Sequence, residues 1–141
     1  MSQIYASYLS KFLDSASVHD FLIDTLSDPS LADWQKMWVL GALLQSKPND
    51  DGPVKVALHL LKDANRHEAL RAVGAVYVGR FGNLARRKAL ISIYPKVSNY
   101  IQTAIYFSSR TWPKVERANA KASWSGHGDL HSLLTLALAK K

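Results

Sequence analysis

Apolar residues recur at helical spacing along almost the whole chain, and period-two runs of β-branched residues are missing. One face of a helix returns every 3.6 residues whereas a strand alternates every two, so the pattern predicts an all-α fold. Proline, glycine and short polar clusters interrupt the pattern and divide it into about eight helices. The chain has 141 residues, which is the length of one ordinary domain. We therefore expect a single helical domain.

The predicted helices begin and end at residues with known preferences for helix termini. Ser17, Asn65 and Ser98 are the expected N-caps, because their side chains can accept a bond from a helical N–H that has no partner. The segment Met37 to Leu44 is apolar on all sides, which predicts that its helix lies at the centre of the fold. A last helix is expected from Asp129 to Ala139.

The chain also contains a weak internal repeat. At an offset of 32 residues Leu58 aligns with Leu90 and Ala72 aligns with Ala104, and an offset of 34 residues aligns apolar positions of the earlier helices. Helix lengths and turns recur with the same rhythm, which is typical of stacked helical hairpins that share one core. The alternative is that any two amphipathic helices align at some offset.

One helix of the repeat carries a more specific pattern, from Leu70 to Gly82. An aliphatic residue precedes Arg71, small residues permit close helix approach and glycines end the unit, and in these features the segment resembles the second helix of a HEAT repeat. In the HEAT family a preceding Asp contacts this Arg, and in this chain only Asp63 could take the place of that Asp. We expect Arg71 to have a structural role.

The HEAT resemblance implies an architecture for the whole chain. That architecture is a HEAT-like stack of antiparallel helical hairpins, an α-α superhelix. In this interpretation residues 1–30 form N-terminal capping helices and residues 31–110 form the hairpins. Residues 111–141 then form a basic helix, a loop and a C-terminal capping helix.

Charge is distributed unevenly along the chain. Residues 1–68 contain nine acidic and six basic side chains, a net charge of −3. Residues 69–141 contain two acidic and twelve basic side chains, a net charge of +10. A basic half of this kind predicts an anionic partner.

Within the basic half, basic side chains alternate with aromatic ones. Three of the basic residues are spaced i, i+3 and i+7 and therefore share one face of a predicted helix from Pro113 to Ala122. Charge for phosphates and a ring for base stacking are the two requirements of nucleic-acid binding. The alternative is a solvated face of a peripheral helix, with Val115, Ala118 and Ala122 packed inward. The predicted nucleic-acid-binding residues are Arg110, Trp112, Lys114, Arg117, Lys121, Arg86 and Arg87.

The four tryptophans divide into two predicted groups. Trp34 and Trp38 lie four residues apart on one face of an apolar helix, so both are predicted to be buried in the core. Trp112 and Trp124 border loops in the basic half, so they are predicted to contact the partner.

Several kinds of site are not expected. The absence of cysteine excludes disulfides and thiolate metal sites and fits a reducing cytoplasm. His127 and His131 are four apart, but no further ligands cluster with them, and Ser123 and Ser125 lack the orienting acid of a hydrolase triad. There is no Gly-rich phosphate loop, no secretory signal and no apolar run long enough to span a membrane. We therefore expect a cytoplasmic chain without catalysis, cofactor, metal or membrane contact.

A second resemblance concerns the context of the chain. The region Leu31 to Lys140 resembles the helical part that follows the polymerase domain in some bacterial reverse transcriptases of the retron-like or phage-defence kind. The segments that carry this resemblance are Asp33-Trp34-Gln35-Lys36-Met37-Trp38, Leu70-Arg71-Ala72, Gly79-Arg80-Phe81-Gly82, Tyr100-Ile101-Gln102 and Ala104-Ile105-Tyr106-Phe107-Ser108-Ser109-Arg110.

The resemblance implies a C-terminal accessory part of an RNA-directed DNA polymerase. The polymerase signature, a Tyr followed by one residue and two aspartates, is missing, so the chain itself would carry no active site. Its partner would be RNA, DNA or a polymerase domain in the same chain. Two alternatives remain: a protein–protein interaction scaffold of HEAT type, and a HEAT-like DNA glycosylase, for which the basic half offers no suitable acid.

Overall fold

The computed structural model describes residues 16–124, and these form helices without any strand. The prediction of an all-α fold is therefore confirmed. The described part contains seven α-helices and one 3₁₀ turn. In chain order they are α1 (Ala16–Leu26), α2 (Asp33–Leu43), α3 (Gly52–Lys62), α4 (Glu68–Phe81), α5 (Leu84–Ile93), the 3₁₀ turn (Tyr94–Lys96), α6 (Asn99–Ser109) and α7 (Lys114–Trp124). The predicted helix from Asp129 to Ala139 lies outside the described residues.

Polar side chains cap three of the helices. Ser98 accepts a bond from the N–H of Ile101, which confirms the prediction for α6. The cap of α4 is His67, whose Nδ1 accepts the N–H of Ala69 at 3.0 Å, and not Asn65, which is held in the preceding turn. Asn83 caps α5, and the predicted cap Ser17 lies inside α1.

The helix α4 is the centre of the fold, because it contacts α2, α3, α5 and α6. Small residues in α4 allow these helices to approach it closely. A Cβ atom at Gly74 would lie 3.0 Å from the carbonyl oxygen of Ala57 in α3, so a side chain at this position would push the two helices slightly apart. Tyr77 and Val78 of the same helix are fully buried in the common core.

The prediction that the apolar segment Met37 to Leu44 is central is wrong. Only one face of α2 is buried, with Leu40 and Leu43 at full burial, while Trp34 and Trp38 are 62% and 43% exposed. Both tryptophans were predicted to be core residues. An apolar surface allows a helix to be buried on all sides, but neighbouring helices decide whether it is. Among residues 16–124, no helix covers the tryptophan side of α2.

An ionic cluster joins the start of α2 to the start of α4. One carboxylate oxygen of Asp33 accepts the backbone N–H of His67 at 2.6 Å, and the other accepts Nη1 of Arg66 at 3.1 Å. The bond from the His67 backbone is the main cause that lowers the pKa of Asp33. Asp63 also pairs with Arg66, so it does not make the HEAT-type contact with Arg71. This cluster fixes the two helices relative to each other.

Arg71 has the structural role that was predicted for it. Its Nε donates to the carbonyl oxygen of Leu61 at 2.8 Å, close to the C-terminal end of α3. Carbonyls in the last turn of a helix have no partner within the helix, so a guanidinium is a suitable donor. Arg71 therefore joins α4 to the end of α3.

Candidate nucleic-acid interface

Two tryptophans fix α7 to the rest of the fold. Trp112, which precedes the helix, is 4% exposed and donates its indole N–H to the carbonyl oxygen of Gly79 at 2.9 Å. Trp124, at the end of the helix, is fully buried and stacks on Tyr94 with ring centres 4.3 Å apart. Its indole N–H bonds the carbonyl oxygen of Ile91 at 3.3 Å. The prediction that both tryptophans contact a partner is wrong, because both segments fold back onto the core.

The buried face of α7 differs from the predicted one. Glu116, Ala120 and Trp124, spaced four residues apart, turn toward the protein, with Ala120 fully buried. The predicted inward residues Val115, Ala118 and Ala122 are all exposed, Val115 to 72%. The helix is rotated relative to the predicted orientation, because the large ring of Trp124 and an ion pair of Glu116 set its position, and its small apolar residues do not.

Two of the predicted binding residues, Arg86 and Arg87, are occupied by ion pairs. Arg86 binds the carboxylate of Asp51, and its Nε lies 3.4 Å from one of the two oxygens. Arg87 binds Glu116 and also donates to the carbonyl oxygen of Gly82 at 2.6 Å. The bonds to the arginines lower the pKa of Asp51 and of Glu116 below their usual values. Arg86 and Arg87 therefore stabilise the fold, and the structure does not support their assignment to a phosphate site.

The remaining basic residues of α7 are free of such pairs. Lys114, Arg117 and Lys121 are all exposed, and none of them forms an ion pair with a carboxylate in residues 16–124. Glu116 is the acidic side chain nearest to them in sequence, and Arg87 already holds it. We call these three residues the basic stripe. A stripe of cations without local counter-charges attracts polyanions.

Two exposed arginines precede the basic stripe in the chain. Arg110 was predicted as a binding residue and is exposed, with its guanidinium carbon 5.9 Å from the centre of the Phe107 ring. Arg80 and Phe107 were not predicted: Arg80 is exposed beside the ring of Phe81, and Phe107 is 41% exposed. The spacing of three residues between Phe107 and Arg110 on a helix was the signal that could have identified this pair.

No family model, curated protein or solved structure matches the chain.

Other parts of the described chain offer less for a site. A cleft of about 440 Å³ beside α3 is lined by Lys55, His59 and Lys62 and by Arg86, whose charge Asp51 neutralises. Within residues 16–124 no three His, Cys, Asp or Glu side chains come close enough together to hold a metal ion, and no helix there is long and apolar enough to cross a membrane. His127 and His131 lie outside the described residues.

Proposed function

We propose that this chain is a non-catalytic helical module that binds the phosphate backbone of nucleic acid through its basic stripe, Lys114, Arg117 and Lys121, together with Arg110. The observation that carries the proposal is the contrast within the basic half. Arg86 and Arg87 are neutralised by acidic partners, whereas the side chains of the stripe are exposed and without such partners in the described chain. Cations held free on one helix face are suited to a row of phosphates.

The proposal includes the arrangement of the helices. Contacts of α4 with both α2 and α6, together with those of the consecutive pairs α1–α2, α3–α4 and α4–α5, support a HEAT-like stack of antiparallel hairpins. In such a stack α7, the last described helix, packs on α5 and turns the basic stripe away from it. The sequence resemblance adds that the module acts beside a polymerase domain, as in bacterial reverse transcriptases, and we propose a cytoplasmic location for it.

The salt dependence of binding tests this proposal. Each phosphate contact that is lost reduces the slope of log K against log salt by about 0.9 for duplex DNA. The triple variant K114A/R117A/K121A should therefore bind a short duplex with a slope smaller by about 2 to 3 than that of the wild type. The matched control is K47A/K55A/K62A, which removes the same charge from exposed lysines of the acidic half.

The two triple variants separate a site from a general charge effect. If both reduce the slope equally, net charge alone drives binding and the stripe is not a site. If neither reduces it, the assignment of Lys114, Arg117 and Lys121 is wrong.

A second function, a protein interaction scaffold, is favoured by one observation. Trp34 is 62% exposed and borders a pocket of about 280 Å³ that Met37 and Leu70 also line. Exposed tryptophans beside apolar pockets are frequent hot spots of protein interfaces. Under this alternative, W34A abolishes a complex with a protein partner and leaves the affinity for nucleic acid unchanged, which titrations of both complexes would measure.

A further inference from the structure

The ring of Phe107 is held in place and yet open to solvent. It packs edge-on against Tyr106, with ring centres 6.4 Å apart, and Arg110 lies 5.9 Å from its centre. Even so, 41% of the side chain is exposed. Aromatic residues that stack on a ligand are typically exposed and already ordered, because such a side chain loses little conformational entropy on binding.

The ends of α4 and α6 meet beside this ring. A Cβ atom at Gly79 would lie 2.6 Å from the Cβ of Ser108, so the two helices are in direct contact there. Arg80 follows Gly79, and Phe107 precedes Ser108, so both exposed side chains flank the same contact. Arg110 therefore lies beside the exposed ring, and Arg80, whose guanidinium lies over the ring of Phe81, is on the neighbouring helix at the same contact.

The two arginines of this cluster each carry a positive charge. Neither Arg80 nor Arg110 forms an ion pair with a carboxylate anywhere in residues 16–124. A guanidinium binds a phosphate through two parallel bonds, and an aromatic ring stacks on any base that is not already stacked in a duplex. A base in a duplex is covered on both sides by its neighbours, so a ring on a protein surface contributes little to duplex binding.

We infer that Phe107, with Arg110 beside it and Arg80 on the neighbouring helix, stacks on an unpaired base, so that the nucleic acid bound by this chain is single-stranded. The inference rests on the proposed function and narrows it, because the basic stripe alone does not distinguish a single strand from a duplex. Phe107 takes the stacking role that the sequence assigned to Trp112, whose ring is buried.

The test compares the wild type with F107L, F107W and a control in the acidic half. F107L keeps an apolar side chain of similar size but removes the ring, and F107W keeps a ring. The control F21L makes the same change at a phenylalanine that is 68% exposed in α1. Each protein is titrated with an unpaired oligonucleotide, with a duplex of equal phosphate number and with the same unpaired strand carrying abasic sites. Circular dichroism and melting curves verify that each variant is folded.

We expect the wild type to bind the unpaired strand more tightly than the duplex. F107L should lose about tenfold in affinity for the unpaired strand and nothing for the duplex, while F107W and F21L should bind like the wild type. F107L and the wild type should also become equal on the abasic strand, because no base is left to stack.

The outcomes distinguish this inference from the proposed function. If F107L binds the unpaired strand as tightly as the wild type, or if the duplex is preferred, the stacking inference is overturned while backbone binding by the stripe stands. If no strand binds the wild type, the proposed function itself fails.

Discussion

Arg87 binds Glu116 through two of its three guanidinium nitrogens, Nε and Nη2, and the bond from Nη2 measures 2.8 Å. The pair joins α5 to α7, and each side chain is only 19% exposed. Two parallel bonds from one guanidinium to one carboxylate give the strongest and most directional type of ion pair. The position of α7, and with it the outward direction of the basic stripe, depends on this contact as well as on Trp124.

The first prediction concerns this ion pair. Arg87→Met should lower the free energy of unfolding by about 1 to 2 kcal/mol, because it leaves the carboxylate of Glu116 and the carbonyl of Gly82 without their donor. The matched control on the same helix is Arg86→Met, whose partner Asp51 is 48% exposed, and its cost should stay within about 0.5 kcal/mol. Urea denaturation measures both. Equal costs would contradict the structural difference between the two arginines.

The second prediction compares two helical glycines. Gly79→Ala should destabilise by about 1 to 3 kcal/mol, because the new methyl group would meet Ser108, whose hydroxyl is bonded to the carbonyl of Ile105. Gly41→Ala places its methyl group in open space and should stabilise by about 0.5 to 1 kcal/mol through helix propensity. Thermal unfolding of both variants provides the comparison.

A double variant identifies the cause of the first effect. In the background of Ser108→Gly the cost of Gly79→Ala should shrink, because the opposing side chain is gone. An unchanged cost would mean that the close contact between α4 and α6 is not the reason for the loss.

The third prediction compares a buried tryptophan, Trp124, with an exposed one, Trp34. Trp124→Ala should cost about 3 to 5 kcal/mol, because it removes a fully buried ring that stacks on Tyr94. Trp34→Ala should change stability by no more than about 0.5 kcal/mol, since most of its ring is exposed. The denaturant midpoints of the two variants measure the two losses of stability. A larger loss for Trp34→Ala than for Trp124→Ala would mean that the ring of Trp34 lies in the core.

The fourth prediction is a loss of stability in acid that depends on Asp33. Its pKa in the folded protein lies below the ordinary value of 3.8, mainly because the backbone N–H of His67 donates to its carboxylate. A lowered pKa contributes stability that is complete well above 3.8 and disappears as the pH falls through the folded value. Unfolding free energy should therefore decrease between about pH 5 and pH 2.

Substitution tests the assignment to Asp33. Asp33→Asn should be less stable than the wild type by about 1 kcal/mol at neutral pH, and the difference should narrow in acid. Asp24→Asn is the control, because the carboxylate of Asp24 is exposed and makes no hydrogen bond or ion pair within the described residues. A constant difference between D33N and the wild type from pH 7 to pH 2 would contradict the prediction.

The sequence predicted helices well where the signal is local. Ser98 caps α6 as expected, Pro53 lies in the first turn of α3, and the polar segment before it separates α2 from α3. Capping and the conformation of proline depend on a few neighbouring residues, so they can be predicted from sequence. The same is true of the helical period, which predicted the seven α-helices of residues 16–124.

The site could be predicted only in part. The basic stripe and Arg110 are exposed as expected, because their spacing on one helix keeps them together whatever the helix packs against. Whether a cation is free depends on partners that are distant in sequence: Arg86 finds Asp51 and Arg87 finds Glu116. The pairs are separated by 35 and 29 residues, so no local pattern predicts them.

By itself the sequence determined the helical class, the helix boundaries to within a few residues and the concentration of positive charge in the second half. Only the tertiary structure decided which face of each helix is buried. It buried Trp112 and Trp124 and exposed Trp34, Trp38 and Phe107. The physical reason is that burial depends on the neighbours that a helix finds in space, whereas periodicity records only which side chains share a face.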